Sequence, residues 1–336
     1  MTRRLALPAC PLCDETAAVP WLTARGFRLV RCAACGHRYA TERLPPDELA
    51  GGYYGEAAAD LRARVSSEKA ARLDEYDALL RRADPESSGS ESSGPESGGL
   101  CARGPDGAVR RVLDVGCNTG ELLALLKARG LAVAGVEVSA GAAEVAEQRL
   151  GVPIAPSLEA LPEEPRFDLI TLTHVLEHVA EPRALLGSLR RRLRPGGRLL
   201  VEVPCADDPL LGLMGGAYRP LCPGDHVSFF DADGLRRVLS AAGYTLRGLS
   251  SPIHARDLVY PALLSSLDTL RALGPRPQDG AGVSGVGAQV RYRGRLRRPL
   301  RRLLDGACAL LDPLVVRLMA RRSAAQRGSV LIAIAS

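Results

Sequence analysis

The stretch "VLDVGCNTGELLALL", Val112 to Leu126, decides how the rest of the chain is read. It opens as a short apolar run carrying one acid, Asp114, which reads as a buried strand. Gly116 and Gly120 then mark a turn, and leucines at helical spacing follow. Gly116 permits a backbone turn that a side chain would obstruct. Gly120 permits close approach at the helix start, where exposed amides favour a negative group such as a ligand carboxylate. Asp114, at the strand end, is suited to accept from an ammonium.

Working outward, strands and helices alternate. Strand "AVAGVE" precedes a helix over 140–150, and a short strand lies near "VPIA". Strand "FDLITL" precedes a helix beginning near Pro182, which "RPGG" is expected to end. Strand "RLLVEV", a helix over 231–242, "YTLRGLS" and a terminal apolar "SVLIAIAS" complete the series. Such alternation predicts a parallel sheet covered on both faces. Ligands of such sheets sit beyond the carboxyl ends of the strands, near the switch in strand order. Glu137 ends the second strand, 23 residues after Asp114, as a strand–helix–strand unit requires. A carboxylate there can accept two hydrogen bonds from a ribose diol. A dinucleotide site would use the same physics, but its G-x-G-x-x-G fingerprint is not the D-x-G-x-N-x-G order found here.

Four cysteines precede this unit as two C-x-x-C pairs, Cys10 and Cys13, then Cys32 and Cys35, with 18 residues between the pairs. That spacing fits a four-thiolate zinc site, and four sulfurs leave no open position, so the zinc reads as structural. His37 reads as a surface residue. Net charge is +6, which permits acidic partners without demanding them. Lysine occurs only at Lys69 and Lys127, so the positive charge is almost all arginine. No stretch approaches the ~20 apolar residues of a membrane span. With no signal-peptide pattern at the start, a cytoplasmic location is expected.

The domain organisation expected is a zinc ribbon over 1–43, a helical connector over 44–83, a flexible Ser/Gly/Glu/Pro insert over 84–108 and the α/β domain over 109–336. The connector's helix is read from about Ser66 to Arg82. The α/β domain carries an Arg-rich helical insertion over 255–326, with seven arginines between Arg291 and Arg302. A solvated face, an anionic membrane surface met through 291–322, and nucleic acid are the three readings of that segment. Few aromatics for base stacking disfavour nucleic acid.

"LDVGCNTG", "GVEVS", "FDLITLTHVLEHV" and "LRPGGRLLVEVP" resemble, in order, the consecutive motifs of class I S-adenosylmethionine-dependent methyltransferases. "CPLC…CAACG", "GGYYGE" and "GDHVSFFDADGLRRVLSAAGY" resemble a subgroup with an N-terminal zinc ribbon that includes deoxysugar C-methyltransferases. The resemblance implies a doubly wound, Rossmann-like sheet of seven mostly parallel strands, the last antiparallel. It implies that Asp114, Gly116, Cys117, Asn118 and Gly120 surround the methionine part of the cofactor. Glu137 would hold the ribose, Val138 would meet the adenine face, and Ser157 and Leu158 its edge. Thr173 and His174 would line the methyl end. Asn118 stands where the family usually has glycine, and asparagine tolerates a left-handed backbone.

The implied activity is S-adenosylmethionine-dependent methyl transfer to a small biosynthetic intermediate such as a sugar or a glycosylated or lipid-linked compound, at carbon or oxygen. An RNA methyltransferase and a non-catalytic cofactor-binding scaffold are the alternatives. His226, with Asp225 beside it, is the candidate base, against a reading in which it only pins its loop. His174, Glu177 and His178 in "HVLEH" sit at metal-ligand spacing, but their place after a strand favours shaping the methyl pocket over holding a metal. Tyr53 and Tyr54 are read as closing over the site or packing the ribbon. Cys205, Cys222 and Cys308 are read as small buried residues.

Overall fold

The strand at the centre of the molecule is the one that opens the quoted stretch. The computed structural model describes residues 3–45, 72–82, 108–164, 166–218, 221–252, 259 and 329–336. The insert over 84–108 lies outside these residues save for 108, the Arg-rich insertion over 255–326 lies outside them save for 259, and Tyr53, Tyr54, Cys308 and residues 66–71 of the expected connector helix lie wholly outside them.

In chain order the elements are β1 (Leu5–Ala6), β2 (Ala18–Ala24), β3 (Phe27–Cys32), β4 (Arg38–Ala40), β5 (Glu42–Arg43) and α1 (Leu73–Arg82). Then come β6 (Arg111–Val115), α2 (Glu121–Ala128), β7 (Ala132–Val136), α3 (Ala140–Leu150), β8 (Ile154–Ala155) and β9 (Phe167–Thr173). A 3₁₀ turn (Leu176–His178) leads to α4 (Pro182–Arg192), β10 (Leu193–Pro204), α5 (Pro209–Met214), β11 (Ser228–Phe229), α6 (Ala232–Ala241), β12 (Leu246–Ser250) and β13 (Val330–Ala335).

Seven strands form one sheet in the order β12-β13-β10-β9-β6-β7-β8. The pairs β6–β7, β7–β8, β6–β9 and β9–β10 are parallel, whereas β13 runs antiparallel to both β10 and β12. This is the seven-stranded, mostly parallel sheet expected from the sequence. The chain winds outward from β6 to β8, then returns to lay β9 on the other side of β6. The turn after β6 therefore faces the switch in strand order, where such sheets bind ligands.

The strands are apolar because helices cover both faces. Leu113, Ile170, Leu172, Leu199, Val201 and Ala333 are fully buried in one face's core, and Val112, Leu200, Ile332 and Ile334 in the other. Truncating Ile170 to alanine would cost roughly 2–5 kcal/mol through lost burial and the cavity left behind. The covering helices follow the same logic. In α6, Leu235, Val238 and Leu239 share the buried face, and Asp231 caps the start by accepting from the Gly234 amide at 2.6 Å. In α3, Ala142, Ala146 and Leu150 form the buried stripe, and Gly151 ends it at φ 64°.

The helix expected to end at "RPGG" does end there, and these four residues then belong to a strand. Helix α4 stops at Arg192 and Leu193 already pairs with Phe167, so these four residues form an irregularity inside β10 before Arg198 pairs with Leu169. A Cβ on Gly197 would lie 2.9 Å from the Arg194 and Phe167 carbonyl oxygens, so the excursion requires glycine there. Proline and paired glycines signal a break in pattern, and the partner strand decides whether that break is a loop or a bulge.

The N-terminal segment builds a second sheet in the order β11-β4-β3-β2. Its edge strand β11 comes from far along the chain, with Ser228 opposite Tyr39. Cys10, Leu12, Cys32 and Tyr39 belong to the same core as Leu172, Val203 and Phe230. Among the described residues no helix is long and apolar enough to cross a membrane.

Candidate active site

The turn after β6 is held by two amides. Those of Gly116 and Cys117 donate to the Val136 carbonyl at 2.8 and 3.0 Å, pinning the turn to the end of β7. Gly116 adopts φ 72°, and a Cβ there would lie 2.5 Å from Val175 Cγ2. Asn118 adopts φ 53°, so the asparagine supplies the left-handed backbone expected of it. Gly120 precedes α2 at φ 76°, with room for a Cβ only 3.1 Å from that of Ala146.

Around the turn the expected residues come together unequally. Asp114 is fully buried, and its Oδ1 accepts from the Thr171 hydroxyl at 2.7 Å. Cys117 is fully buried too, and its sulfur lies 2.8 Å from where a Cβ on Gly135 would sit. Glu137 has a role the sequence did not reveal. Its carboxylate accepts from the Asn118 amide at 2.9 Å and the Ser139 amide at 2.8 Å, tying the β6 turn to the β7 turn. Val138 beside it is 67% exposed, a bare apolar face at the mouth of the site. Ser157 and Leu158 follow β8, and the Leu158 carbonyl is held by Arg192 at 2.7 Å.

These features fit a bound sulfonium nucleoside. The site has a cradle that a Cβ would fill, a carboxylate at the second strand end and an uncovered apolar face. Thr173, at the end of β9, is buried, and its hydroxyl has no hydrogen-bond partner among the described residues.

Beyond β9 the chain turns sharply at His174, φ 53°. His174 Nε2 lies 3.0 Å from Glu202 Oε1 and its Nδ1 lies 3.4 Å from Glu177 Oε1. Burial pushes His174 down, but the two carboxylates outweigh it and raise it to about 10. Glu202 is the hub of a buried cluster. It accepts from the Tyr76 hydroxyl at 2.6 Å and pairs with Arg72 at 3.4 Å. Burial raises its carboxyl, yet His174, Arg72 and Tyr76 together bring it down to about 2. A lone glutamate inside the apolar run "LLVEVP" is the one sequence signal for this hub; its partners Tyr76 on α1 and Arg72 just before it carry none.

His226 lies opposite this turn. It is buried, and its ring meets that of His178 edge-on at 4.7 Å. His178 Nδ1 contacts Asp225 Oδ1 at 3.0 Å. Burial lowers His226 to about 4, and the neighbouring His178 acts in the same direction. The expected candidates His174 and His226 thus share one cluster with Glu177, His178 and Asp225. An apolar pocket lined by Pro204, Leu211, Tyr218, Leu221 and Phe229 adjoins His226.

The cysteine pairs converge. Cys10 Sγ lies 3.6 Å from Cys35 Sγ, Cys13 Sγ lies 3.6 Å from Cys32 Sγ, and all four sulfurs fall within 4.8 Å of one another. A tetrahedron with Zn–S bonds of about 2.3 Å has edges of about 3.8 Å, so the four thiols fit one zinc ion. His37 is not the surface residue expected. It is 1% exposed, stacked on Tyr39 and packed near Phe230 and Gly234, because β11 and α6 dock over the N-terminal sheet. Burial, then Arg237 and Arg38, lowers it to about 3, which keeps the ring neutral. Cys205 is buried as read; Cys222 is only partly buried and turns the chain at φ 41°.

The chain is similar to known proteins. A stretch of 163 residues is 36% identical to the ubiquinone biosynthesis O-methyltransferase of Alkalilimnicola ehrlichii, covering 44% of this chain and 65% of that protein. The like-named protein of Aeromonas salmonicida is 28% identical over 160 residues, 44% of this chain and 67% of that protein. The chain therefore spans about two thirds of the length of these curated relatives. A S-adenosylmethionine-dependent methyltransferase structure from Archaeoglobus fulgidus is similar over 82% of this chain and 93% of its own, at 17% identity and a TM-score of 0.44. The family model described as a methyltransferase domain matches residues 57–248, more than half of the sequence. By that match, on a seven-stranded sheet with its glycine turn at the strand switch, the chain belongs to the class I S-adenosylmethionine-dependent methyltransferase domains.

Proposed function

We propose that this chain transfers the methyl group of S-adenosylmethionine to a hydroxyl of a small biosynthetic intermediate. The observation that carries the reading is the contact between two neighbouring turns. Val175 packs against Gly116, so the cofactor turn after β6 and the histidine–carboxylate cluster after β9 adjoin. The bound cofactor supplies an activated methyl group with a good leaving group, which leaves the chain to align the acceptor and remove its proton.

Residue roles follow from position. Gly116, Asn118 and Gly120 shape the backbone around the amino-acid end, and Asp114, set by Thr171, supplies negative charge there. Glu137 receives the ribose diol at the same carboxylate that ties the two turns together. Val138 offers its apolar face to the adenine, with Ser157 and Leu158 at the ring edge. Thr173 and His174 line the methyl end. His226 receives the acceptor hydroxyl. One structural zinc ion is held by Cys10, Cys13, Cys32 and Cys35.

The names of the curated relatives speak for oxygen as the acceptor atom on a small molecule and lend no support to an RNA acceptor. A sugar hydroxyl is a narrower case of the same chemistry. Titration calorimetry with S-adenosylmethionine, followed by mass spectrometry of a panel of phenolic and sugar hydroxyl compounds, tests the reading. Cofactor binding with methyl ether formation is expected, and His226→Ala should abolish the transfer while retaining the cofactor. No heat of binding at millimolar cofactor would end the proposal.

A further inference from the structure

We propose that Arg192 is a positioning residue for the adenine end of the cofactor site, acting through the segment that carries Ser157 and Leu158. Its guanidinium gathers three carbonyls of that segment. Nη2 donates to the Leu158 carbonyl at 2.7 Å and to the Leu161 carbonyl at 3.3 Å, and Nη1 donates to the Pro162 carbonyl at 2.9 Å. The inference rests on the cofactor reading above, in which Ser157 and Leu158 meet the adenine edge.

The topology explains why the chain needs such a side chain. Parallel strands are joined by crossovers, usually helices, whose carbonyls are satisfied within the helix. Strand β8 ends at Ala155 and β9 begins at Phe167, and among the described residues between them there is no helix. The carbonyls of this crossover therefore need donors from elsewhere. The Leu161 amide reaches the Leu158 carbonyl at 3.2 Å. Arg192 serves Leu158 a second time, and Leu161 and Pro162 besides. Leu158 and Leu161 are half-buried against the core that holds Leu172 and Leu186. Apolar packing thus seats the crossover, and one guanidinium fixes the course of its backbone.

The crossover is anchored at its other end by the ribose acid. The Glu137 amide donates to the Ala155 carbonyl at 2.9 Å. Ser157 and Leu158 therefore lie between an anchor on the β7 turn and an anchor at the last residue of α4. The charge of Arg192 is felt beside Ser157 as well. The Ser157 hydroxyl, then the Glu159 amide, hold the Glu159 carboxyl below its usual value, and Arg192 acts in the same direction. Only arginine has a planar fork of donors that serves three carbonyls at once; lysine offers a point charge. Without the fork the crossover samples other courses. The apparent Kd of the nucleoside then rises as the inverse of the fraction left in the binding arrangement.

The test compares the full wild-type chain with Arg192→Ala and Arg192→Lys, by calorimetry with S-adenosylhomocysteine and with adenosine. Adenosine reports the nucleoside end alone. Arg192→Ala should weaken both ligands by the same factor, about tenfold or more, as the binding arrangement falls to about a tenth of the population. Arg192→Lys should fall between it and wild type. In turnover the loss should fall on the KM for S-adenosylmethionine rather than on kcat. Amide hydrogen exchange of the ligand-free variant should quicken over 157–164. An unchanged adenosine Kd, a loss confined to S-adenosylhomocysteine, or unaltered exchange over 157–164 overturns the inference. If the alanine variant does not fold, the lysine variant, which keeps the charge, carries the same comparison. A wild-type chain that binds neither ligand overturns the cofactor reading and this inference with it; wild-type binding with unchanged variants overturns this inference alone.

Discussion

The carbonyl of Val227 accepts a hydrogen bond from the amide of Ala40 at 2.9 Å. Ala40 ends β4 of the cysteine-bearing sheet, and Val227 follows His226. The Val227 amide is committed at the same time to the Glu177 carbonyl. The loop holding His226 is therefore suspended between the N-terminal sheet and the turn after β9.

Zinc removal should be felt at His226 through that suspension. Cys13→Ser, or chelation of the zinc, is expected to lower kcat by tenfold or more, because small misplacement of a reacting group is costly. The cofactor's Kd should change less, since the β6 turn is anchored to β7 and not to the cysteine sheet. Parallel calorimetry and initial rates check this, and a loss confined to cofactor binding would contradict it.

The glycine turn should discriminate between residues by backbone conformation. Asn118→Gly is expected to keep cofactor affinity within about threefold, since both residues reach the left-handed region. Asn118→Val should cost roughly 1–2 kcal/mol in stability for holding a β-branched residue at φ 53°. Gly116→Ala should be worse, because its Cβ also meets Val175. Urea denaturation with and without cofactor measures all three.

Glu137→Gln removes a charged acceptor from the amides of Asn118 and Ser139 and from the ribose. Cofactor binding is expected to weaken by about tenfold or more, as hydrogen bonds to charged groups are worth about 1.5–3 kcal/mol. Calorimetry reads the change. An unaltered Kd would detach Glu137 from the nucleoside and leave it the turn-tying role alone.

The buried cluster around Glu202 makes a pH prediction. Its folded carboxyl titrates at about 2, below the unfolded value of roughly 4.3. The stability it contributes is present above the unfolded value and is lost as pH falls toward the folded one. Glu202→Gln should cost roughly 3 kcal/mol at pH 7, where it takes a buried carboxylate away from both Arg72 and His174. The gap between variant and wild type in urea should shrink between pH 5 and 3, and a gap that stays constant would count against the assignment.

The sequence by itself determined the alternation of strands and helices that builds the sheet, and its glycine turn. Alternating apolar strands and amphipathic helices carry their periodicity locally, and the C-x-x-C pairs carry their chemistry in their spacing. Asn118 was legible too, because a left-handed residue is a property of the backbone at that position. Only the tertiary structure decided the rest. "RPGG" became part of β10 because Phe167 pairs with Leu193 across the sheet. His37 went from expected surface to core because β11 and α6, contributed from about 190 residues away, close over it. Glu202 meets Tyr76 across 126 residues, and His178 meets Asp225 across 47. Periodicity reports which face of an element is buried. It does not report which distant side chains arrive on that face, and those arrivals fix the charges of the histidine–carboxylate cluster.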